Sequence, residues 1–504
     1  MPFGPVLGTE LFLATLSAYD TRPAPAASSA GKRLMAGRSV PLLGASVLLI
    51  AAFFLGGSSR ADVSPLLLLR PISALLLFAA LWTLTKEDVR ENKHVLLAST
   101  IIFLLVVISL LPLPPVLWQT LPGRGIIAEI DSALDATGAW HPFTMTPGAT
   151  FDSLMGLIAP LALIVFLAQM DVREKMGIAV LLAVLLALSG AVEYLQAFGL
   201  NYRPYHISNE NAGLFANRNH QALALACLIP LLIAIAAKTR HRPRGPRKRG
   251  APADVRVSMF LATGGMVMIL PLIFIAGSRA GLVFAALGVL SALAIAQIKD
   301  PNSKQKKRDR KVRASQIVIG SALLAVAIWA AAGSDRNLAG SRLFAKNLGD
   351  DDRFPIWEQT LRVAFDYFPF GSGLGSFVEV YKIGEPAELL RQSYINHAHN
   401  DILELFLTTG LIGVVFMAWG LFAFAKAVIR TSSDKAFDSD IKRYRWTGSA
   451  ILVLCVLASI VDYPLRTPAL ACVFVYAAFL AGLEPKTSRS QTVSKERNPE
   501  PPHA

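Results

Sequence analysis

Apolar residues in this chain come in long blocks. They show neither the alternation of a half-buried strand nor the one-sided rhythm of a soluble helix. Val95 to Trp118, Met176 to Phe198 and Val257 to Ala276 are almost free of charge. Each is about 20 residues long, enough to cross a hydrocarbon core of about 30 Å as a helix. Read along all 504 residues, the pattern predicts spans near 40–57, 65–84, 95–117, 152–169, 176–198, 219–237, 257–277, 281–298, 316–333, 402–428, 446–462 and 467–483. The predicted fold class is all-α: a polytopic membrane protein with about a dozen transmembrane helices.

Composition agrees. Hydrophobic residues make up 53% and charged residues 17%, against about 25% charged in soluble domains. The net charge of +14 would suggest nucleic acid in a soluble protein. Here much of it falls in two short loops between spans, Lys238 to Arg256 and Lys299 to Arg313. No zinc-finger spacing or other nucleic-acid motif accompanies it, so nucleic acid is not an expected partner. Basic loops mark the cytoplasmic side and suit anionic membrane lipids. Lys86 to His94, Lys426 to Arg445 and the C-terminal tail fall on that same side when the N-terminus is inside. An even number of spans then leaves both termini cytoplasmic. Residues 1–38 and 485–504 read as disordered cytoplasmic tails around a membrane domain, 39–484. Leu11 to Ala18 is too short for a signal-peptide core and follows Glu10. Cys227, Cys455 and Cys472 all lie in apolar segments, which excludes a disulfide framework or a thiolate metal site.

Two outside segments are long. Leu121 to Thr150 joins the third and fourth spans. Residues 334–401 form one large extracytoplasmic loop, predicted to hold short helices packed over the membrane face. This loop is rich in aromatics, with Phe354, Trp357, Phe365, Tyr367 and Phe370, and carries turn-forming Gly371, Gly373 and Gly375.

Three polar clusters stand at outer span ends: Phe215-Ala-Asn-Arg-Asn-His220, Ser278-Arg279-Ala280-Gly281, and Asn396-His-Ala-His-Asn-Asp401 followed by Glu404. Arg279 interrupts two apolar runs. Arginine at membrane depth is costly and marks a cavity or a partner, unless it only snorkels to headgroups. Arg218 lies in the denser cluster of Asn217, Asn219 and His220. A guanidinium is a planar fork of donors suited to phosphate oxygens, and two of them on one face suit a diphosphate. His397 and His399 share a face only if the segment is extended. His-x-His is too little for a metal site, whereas a general base needs one imidazole. The base is read as His399, which leads with Asn400 into the tenth span; Asp401 or Glu404 is available to orient the ring. Arg353 in the large loop is a further substrate-binding candidate. Arg466, in Asp462-Tyr-Pro-Leu-Arg466, reads as the partner of Asp462.

These clusters, in this order, resemble the O-antigen ligase superfamily, which includes Wzy-type polysaccharide polymerases. The matching residues are Asn217-Arg218-Asn219, Ser278-Arg279-Ala280-Gly281, and His399-Asn400 with Gly410-Leu-Ile-Gly413 downstream. The resemblance spans residues 205 to 430, and the twelve-span layout matches. It implies an inverting membrane glycosyltransferase that needs no metal or other cofactor. The donor would be an undecaprenyl-diphosphate-linked glycan, and the acceptor lipid A-core or a growing polysaccharide. It makes Arg218 and Arg279 the diphosphate ligands and His399 the base, and places the site at the periplasmic face of the inner membrane, in lipopolysaccharide biosynthesis of the cell envelope. Asn217, Asn219, His220, Ser278, Arg353, His397, Asn400 and Glu404 are the expected substrate-binding residues. O-antigen ligase is favoured over polymerase by the spacing after His399. A secondary transporter shares the span count. That reading is disfavoured by the missing internal repeat and by polar residues gathered at the outer face instead of mid-span.

Overall fold

The computed structural model describes residues 29–205, 211–239, 269–298, 353–390, 394–434 and 437–484. Two compact units divide the chain, Met1–Val40 and Pro41–Ala504. The first is represented by the opening of helix α1 (Ser29–Leu55), which begins ahead of the predicted start of the first span. The second unit holds everything below.

The long apolar blocks form helices: α2 (Leu66–Thr83), α4 (Lys93–Ser109), α7 (Pro147–Gln169), α8 (Val172–Ala197), α9 (Arg218–Thr239), α10 (Arg279–Ala296), α13 (Asp401–Ser433), α14 (Ser439–Val461) and α15 (Pro468–Ala481). Among the described residues seven helices are long and apolar enough to cross a membrane, and three shorter apolar helices accompany them. The chain is therefore an all-α, multi-pass membrane protein. Residues 269–275, the second part of one predicted span, are helical. The predicted span 316–333 and both predicted tails beyond 29 and 484 lie outside the described residues.

The third span stops at Ser109 instead of 117. Pro112, Pro114 and Pro115 follow, and proline both lacks a donor and forces its predecessor away from helix. The chain instead makes a two-residue antiparallel pair, β1 (Pro112–Leu113) with β2 (His141–Pro142). This pair encloses α5 (Pro115–Trp118) and α6 (Gly125–Ala133). A further short helix, α3 (Lys86–Glu91), precedes α4 and is closed by a Thr85–Asp88 capping box.

α9 packs on α8, α10 and α14, while α15 packs on α7 and α14. Small residues set the spacing, as they do where membrane helices approach closely. A Cβ on Gly288 would come within 2.9 Å of the Ala226 carbonyl oxygen, and one on Gly281 within 2.5 Å of Ala222. The large loop contributes α11 (Arg353–Asp366) and α12 (Phe377–Ile383) over α13. The first loop docks on it through Met145 N–H to the Ser372 carbonyl (2.8 Å) and Thr150 Oγ1 to the Leu374 carbonyl (2.7 Å).

Candidate functional site

The starts of α9, α10 and α13 and the α14–α15 turn lie at one end of the bundle, joined by hydrogen bonds. Each cluster is fixed locally first. Gly213 takes φ +59°, and a side chain there would run into the Ser189 carbonyl oxygen at 2.5 Å. Gln196 bonds this residue as a neighbouring strand would: Gly213 N–H donates to Oε1 (2.9 Å) and Nε2 donates to the Gly213 carbonyl (3.0 Å). Leu214 N–H donates to Ser189 Oγ (3.1 Å), which donates to Gln221 Oε1 (2.6 Å). Gln221 Nε2 in turn donates to Glu193 (2.9 Å). One face of α8 thus pins the loop that delivers Asn217, Arg218 and Asn219. Ser278 caps α10 by accepting from Gly281 N–H (2.9 Å), which sets Arg279 at the first helical position. Asn400 caps α13 by accepting from Leu403 N–H (3.0 Å).

The clusters then meet at Asp462, just beyond the end of α14. Asn217 Nδ2 (3.3 Å) and Asn219 Nδ2 (2.7 Å) donate to its Oδ2. Tyr463 N–H donates to Oδ1 (3.1 Å), and His399 Nδ1 lies 3.3 Å from the same oxygen. Ser278 Oγ donates to Asn219 Oδ1 (2.8 Å). A continuous chain therefore runs Ser278–Asn219–Asp462–His399 and touches all three sequence clusters. Burial by itself would raise the Asp462 carboxyl, but the His399 and Asn219 hydrogen bonds and the nearby imidazoles hold it well below the usual carboxylate range. Asp462 is thus a fixed negative charge. With Nδ1 turned to it, His399 keeps Nε2 as its remaining ring nitrogen. His399 also takes φ +51°, a sparsely populated conformation for a non-glycine residue and one that recurs at functional sites.

His397 is the less exposed counterpart. Its Nδ1 lies 3.1 Å from Glu404 Oε1, and Glu404 also accepts from Ala398 N–H (3.0 Å). Its side chain is 14% exposed, against 29% for His399. Both imidazoles pack on Tyr463, with centroids at 4.2 and 5.0 Å. Burial, followed by the adjoining carboxylate, pushes the Tyr463 hydroxyl up to about 12, so it remains a neutral phenol. His220 is buried edge-on to the same ring at 5.2 Å, and neither of its nitrogens has a hydrogen-bond partner among the described residues.

Arg466 does not pair with Asp462 as the sequence suggested. Its Nε donates to Asp401 (3.0 Å) and its Nη2 lies 3.4 Å from Glu404. The reason is positional. The short turn Pro464–Arg466 carries the guanidinium to the start of α13, while Asp462 is taken by four other donors. Burial disfavours the Arg466 charge, but the Glu404 and Asp401 carboxylates more than offset it and raise its pKa. Glu404 holds His397 and Arg466; Asp401 holds Arg466 and Ser459 (3.1 Å). Arg218 and Arg279, both half-buried, flank the network at the first positions of their helices. Arg353 is half-buried at the start of α11, outside the linked set of Asn217, Asn219, Ser278, His399 and Asp462. Sequence reasoning missed Asp462 and Tyr463 as site residues. The available signal was an acidic residue at the end of an apolar span. Among the described residues no group of three or more His, Cys, Asp or Glu is set to hold a metal ion.

The glycines downstream of His399 have a structural reason. α13 breaks at Gly410 (φ 57°, ψ −141°), a conformation essentially restricted to glycine. A Cβ there would overlap the Pro369 carbonyl oxygen. The break releases backbone groups that the 369–373 turn satisfies: Ser372 N–H to the Leu407 carbonyl (3.1 Å), Gly373 N–H to the Thr408 carbonyl (2.9 Å), and Leu411 N–H to the Pro369 carbonyl (2.8 Å). Breaking the helix thus locks the large loop onto the element that carries His399.

The fold and site define a multi-pass membrane protein with a histidine–carboxylate and arginine cluster at one end of its bundle. Residues 264–418 match a family model described as O-antigen ligase. No curated protein matches the chain. The family match supports assignment to the O-antigen ligase and Wzy-type superfamily, and with it a glycan-transfer role in O-antigen or polysaccharide assembly. It takes in Ser278, Arg279, His399, Asn400, Gly410 and Gly413, and leaves Asn217-Arg218-Asn219 and Asp462 outside.

Proposed function

We propose that this protein transfers a glycan from an undecaprenyl-diphosphate-linked donor to an acceptor hydroxyl at the periplasmic face of the inner membrane, as an O-antigen ligase with lipid A-core as acceptor. The observation that carries this reading is the convergence of His399, Asp462, Asn219 and Ser278 in one bonded chain, with Arg218 and Arg279 beside it. His399 Nε2 takes the proton of the acceptor hydroxyl while the hydroxyl oxygen attacks the anomeric carbon. The bond from that carbon to the diphosphate oxygen breaks, and the diphosphate leaves with the electron pair. Arg218 and Arg279 stabilise its growing charge. Attack opposite the leaving group inverts the anomeric configuration. A diphosphate leaving group and two arginines supply the electrostatics that such a step needs, so no metal enters the reading. Asp462 is a positioning residue: it sets the His399 ring and offsets the charge of the protonated imidazole.

The test is deletion of the gene, with surface glycans sized on a gel. Loss of long chains from lipid A-core while lipid-linked polymer accumulates supports the ligase. Single repeat units on the core, or loss of a secreted polymer, identify a polymerase instead. Unchanged glycans overturn glycan transfer and favour a transporter.

A further inference from the structure

Helix α11 has three faces at 100° per residue. Ile356, Thr360, Val363 and Ala364 are buried. Glu358 and Arg362, paired with each other, form an exposed charged face. Phe354, Leu361 and Phe365 form a third face that is both exposed and wholly apolar, and Phe368 and Phe370 continue it past the helix end. Phe354 is 54% and Phe365 62% exposed. Large apolar side chains gathered on one exposed face mark a contact surface.

The attachment of this face to α13 indicates what covers it. The rings of Phe365 and Phe368 lie 5.9 and 6.1 Å from that of Phe406, in the second turn of α13. The turn that follows is bonded further along the same helix, at Leu407, Thr408 and Leu411. At 1.5 Å per residue those positions lie about 9–15 Å along the span from Asp401. The segment from Phe365 to Gly373 therefore sits alongside the span, past its polar end and next to Leu411, Ile412, Val414 and Val415, all exposed on the span's apolar surface. Non-helical backbone at that depth requires protein partners, and α13 supplies them.

We propose that α11 is an interfacial helix. Its Phe354–Leu361–Phe365 face, extended by Phe368 and Phe370, is seated at the headgroup–acyl boundary of the leaflet on the site's side, with Glu358 and Arg362 turned to water. Its aromatic face is continuous with the lipid-facing surface of α13, so one bilayer covers both. The inference depends on the membrane fold and not on the reaction.

The experiment uses full-length protein in phosphatidylcholine–phosphatidylglycerol nanodiscs with single spin labels at L361C, F365C, E358C and R362C, and L411C as a reference on α13. The native cysteines are buried and stay in place. Collisions with oxygen report the bilayer, and collisions with a water-soluble nickel chelate report solvent. The expected result is high oxygen and low nickel contact at 361, 365 and 411, reversed at 358 and 362. Nickel contact at 361 and 365 equal to that at 358 and 362 would mean a water-facing surface and overturn the proposal. Exclusion of both reagents at 361 and 365 would mean cover by protein, a second copy included, and would overturn it equally. Nickel contact at 411 would overturn the membrane fold itself.

Discussion

Replacing Asp462 with Asn is the most informative perturbation of the site. The carboxylate accepts from Asn217, Asn219 and Tyr463 N–H and holds His399 Nδ1. An amide keeps one acceptor oxygen and puts two donors on the other side. If that oxygen stays with His399, the new NH2 faces Asn219 Nδ2, donor against donor. Turning the Asn219 amide over repairs this, because its Nδ2 can then donate to Ser278 Oγ. The His399 and Asn219 contacts therefore survive, while Asn217 Nδ2 loses its acceptor and the charge is gone. At 3.3 Å, a carboxylate and an imidazolium attract by about 5 kcal/mol at an effective dielectric of about 20. Charge spread over the ring and the partial exposure of His399 reduce this to about 3 kcal/mol. In the proposed step that charge pair stabilises His399 as it takes the acceptor proton, so its loss falls on the transition state. At 1.36 kcal/mol per tenfold, kcat should drop about 10²-fold with KM little changed. The assay is initial-rate transfer from a lipid-linked donor by purified protein in nanodiscs, with thermal unfolding as a check on the fold. A folded D462N enzyme within about threefold of wild-type kcat would refute the positioning role.

H399A should lose about 10³-fold in transfer rate, in the range for removing a general base, and far more than H397A, because Glu404 keeps Ala398 N–H and Arg466 when His397 is gone; equal losses in the same nanodisc assay would reassign the base. G410A should cost several kcal/mol and lower the unfolding temperature sharply, since both its backbone and the Pro369 carbonyl oppose a side chain. G413A should be milder, because its first obstacle is the Thr409 hydroxyl, which can rotate away. The folded-state pKa of Asp462 is depressed, so its contribution to stability is whole above the ordinary carboxylate value of about 3.9 and is lost as pH falls below it. Wild type should therefore lose unfolding temperature more steeply than D462N does as pH falls below about 4.

The spans were legible because a hydrocarbon solvent imposes length and apolarity directly on sequence. Ten of the twelve predicted spans coincide with apolar helices among the described residues. The span that ended early did so at prolines visible in the sequence, whose stop signal was outweighed by the surrounding leucines. The polar clusters were also legible, because charge and amide groups at span ends are conspicuous. Their wiring was not. Asp462 and Arg466 are four residues apart and of opposite sign, so local pairing was the natural reading. Each instead binds groups tens to hundreds of residues away. Glu193, Ser189 and Gln196 escaped notice for a similar reason. Their role on α8 is to hold backbone and side chains of the 211–221 segment, and nothing in α8 itself shows what those groups face.

A site proposed to hold a diphosphate should not hold unbalanced carboxylates beside it, yet Asp401, Glu404 and Asp462 lie among the histidines and Arg466. The bonding pattern resolves the conflict. Asp401 and Glu404 share Arg466, and Glu404 also faces His397. Asp462 has donors at both oxygens. Each of these three carboxylates is thus turned toward groups that balance it, and Arg218 and Arg279 stand at the adjoining helix starts. The same arrangement explains why the acidic residues come from two elements distant in sequence. Asp401 and Glu404 must be rigid with the histidine segment they follow, and Asp462 must reach across to α9 and α10. Asp462 ties the arginine-bearing helix starts to His399, so a shift in one carries the other with it. In the proposed transfer, leaving-group stabilisation and proton removal would fall on opposite sides of the attacked carbon, and a shared carboxylate hub is a direct way to keep both in register.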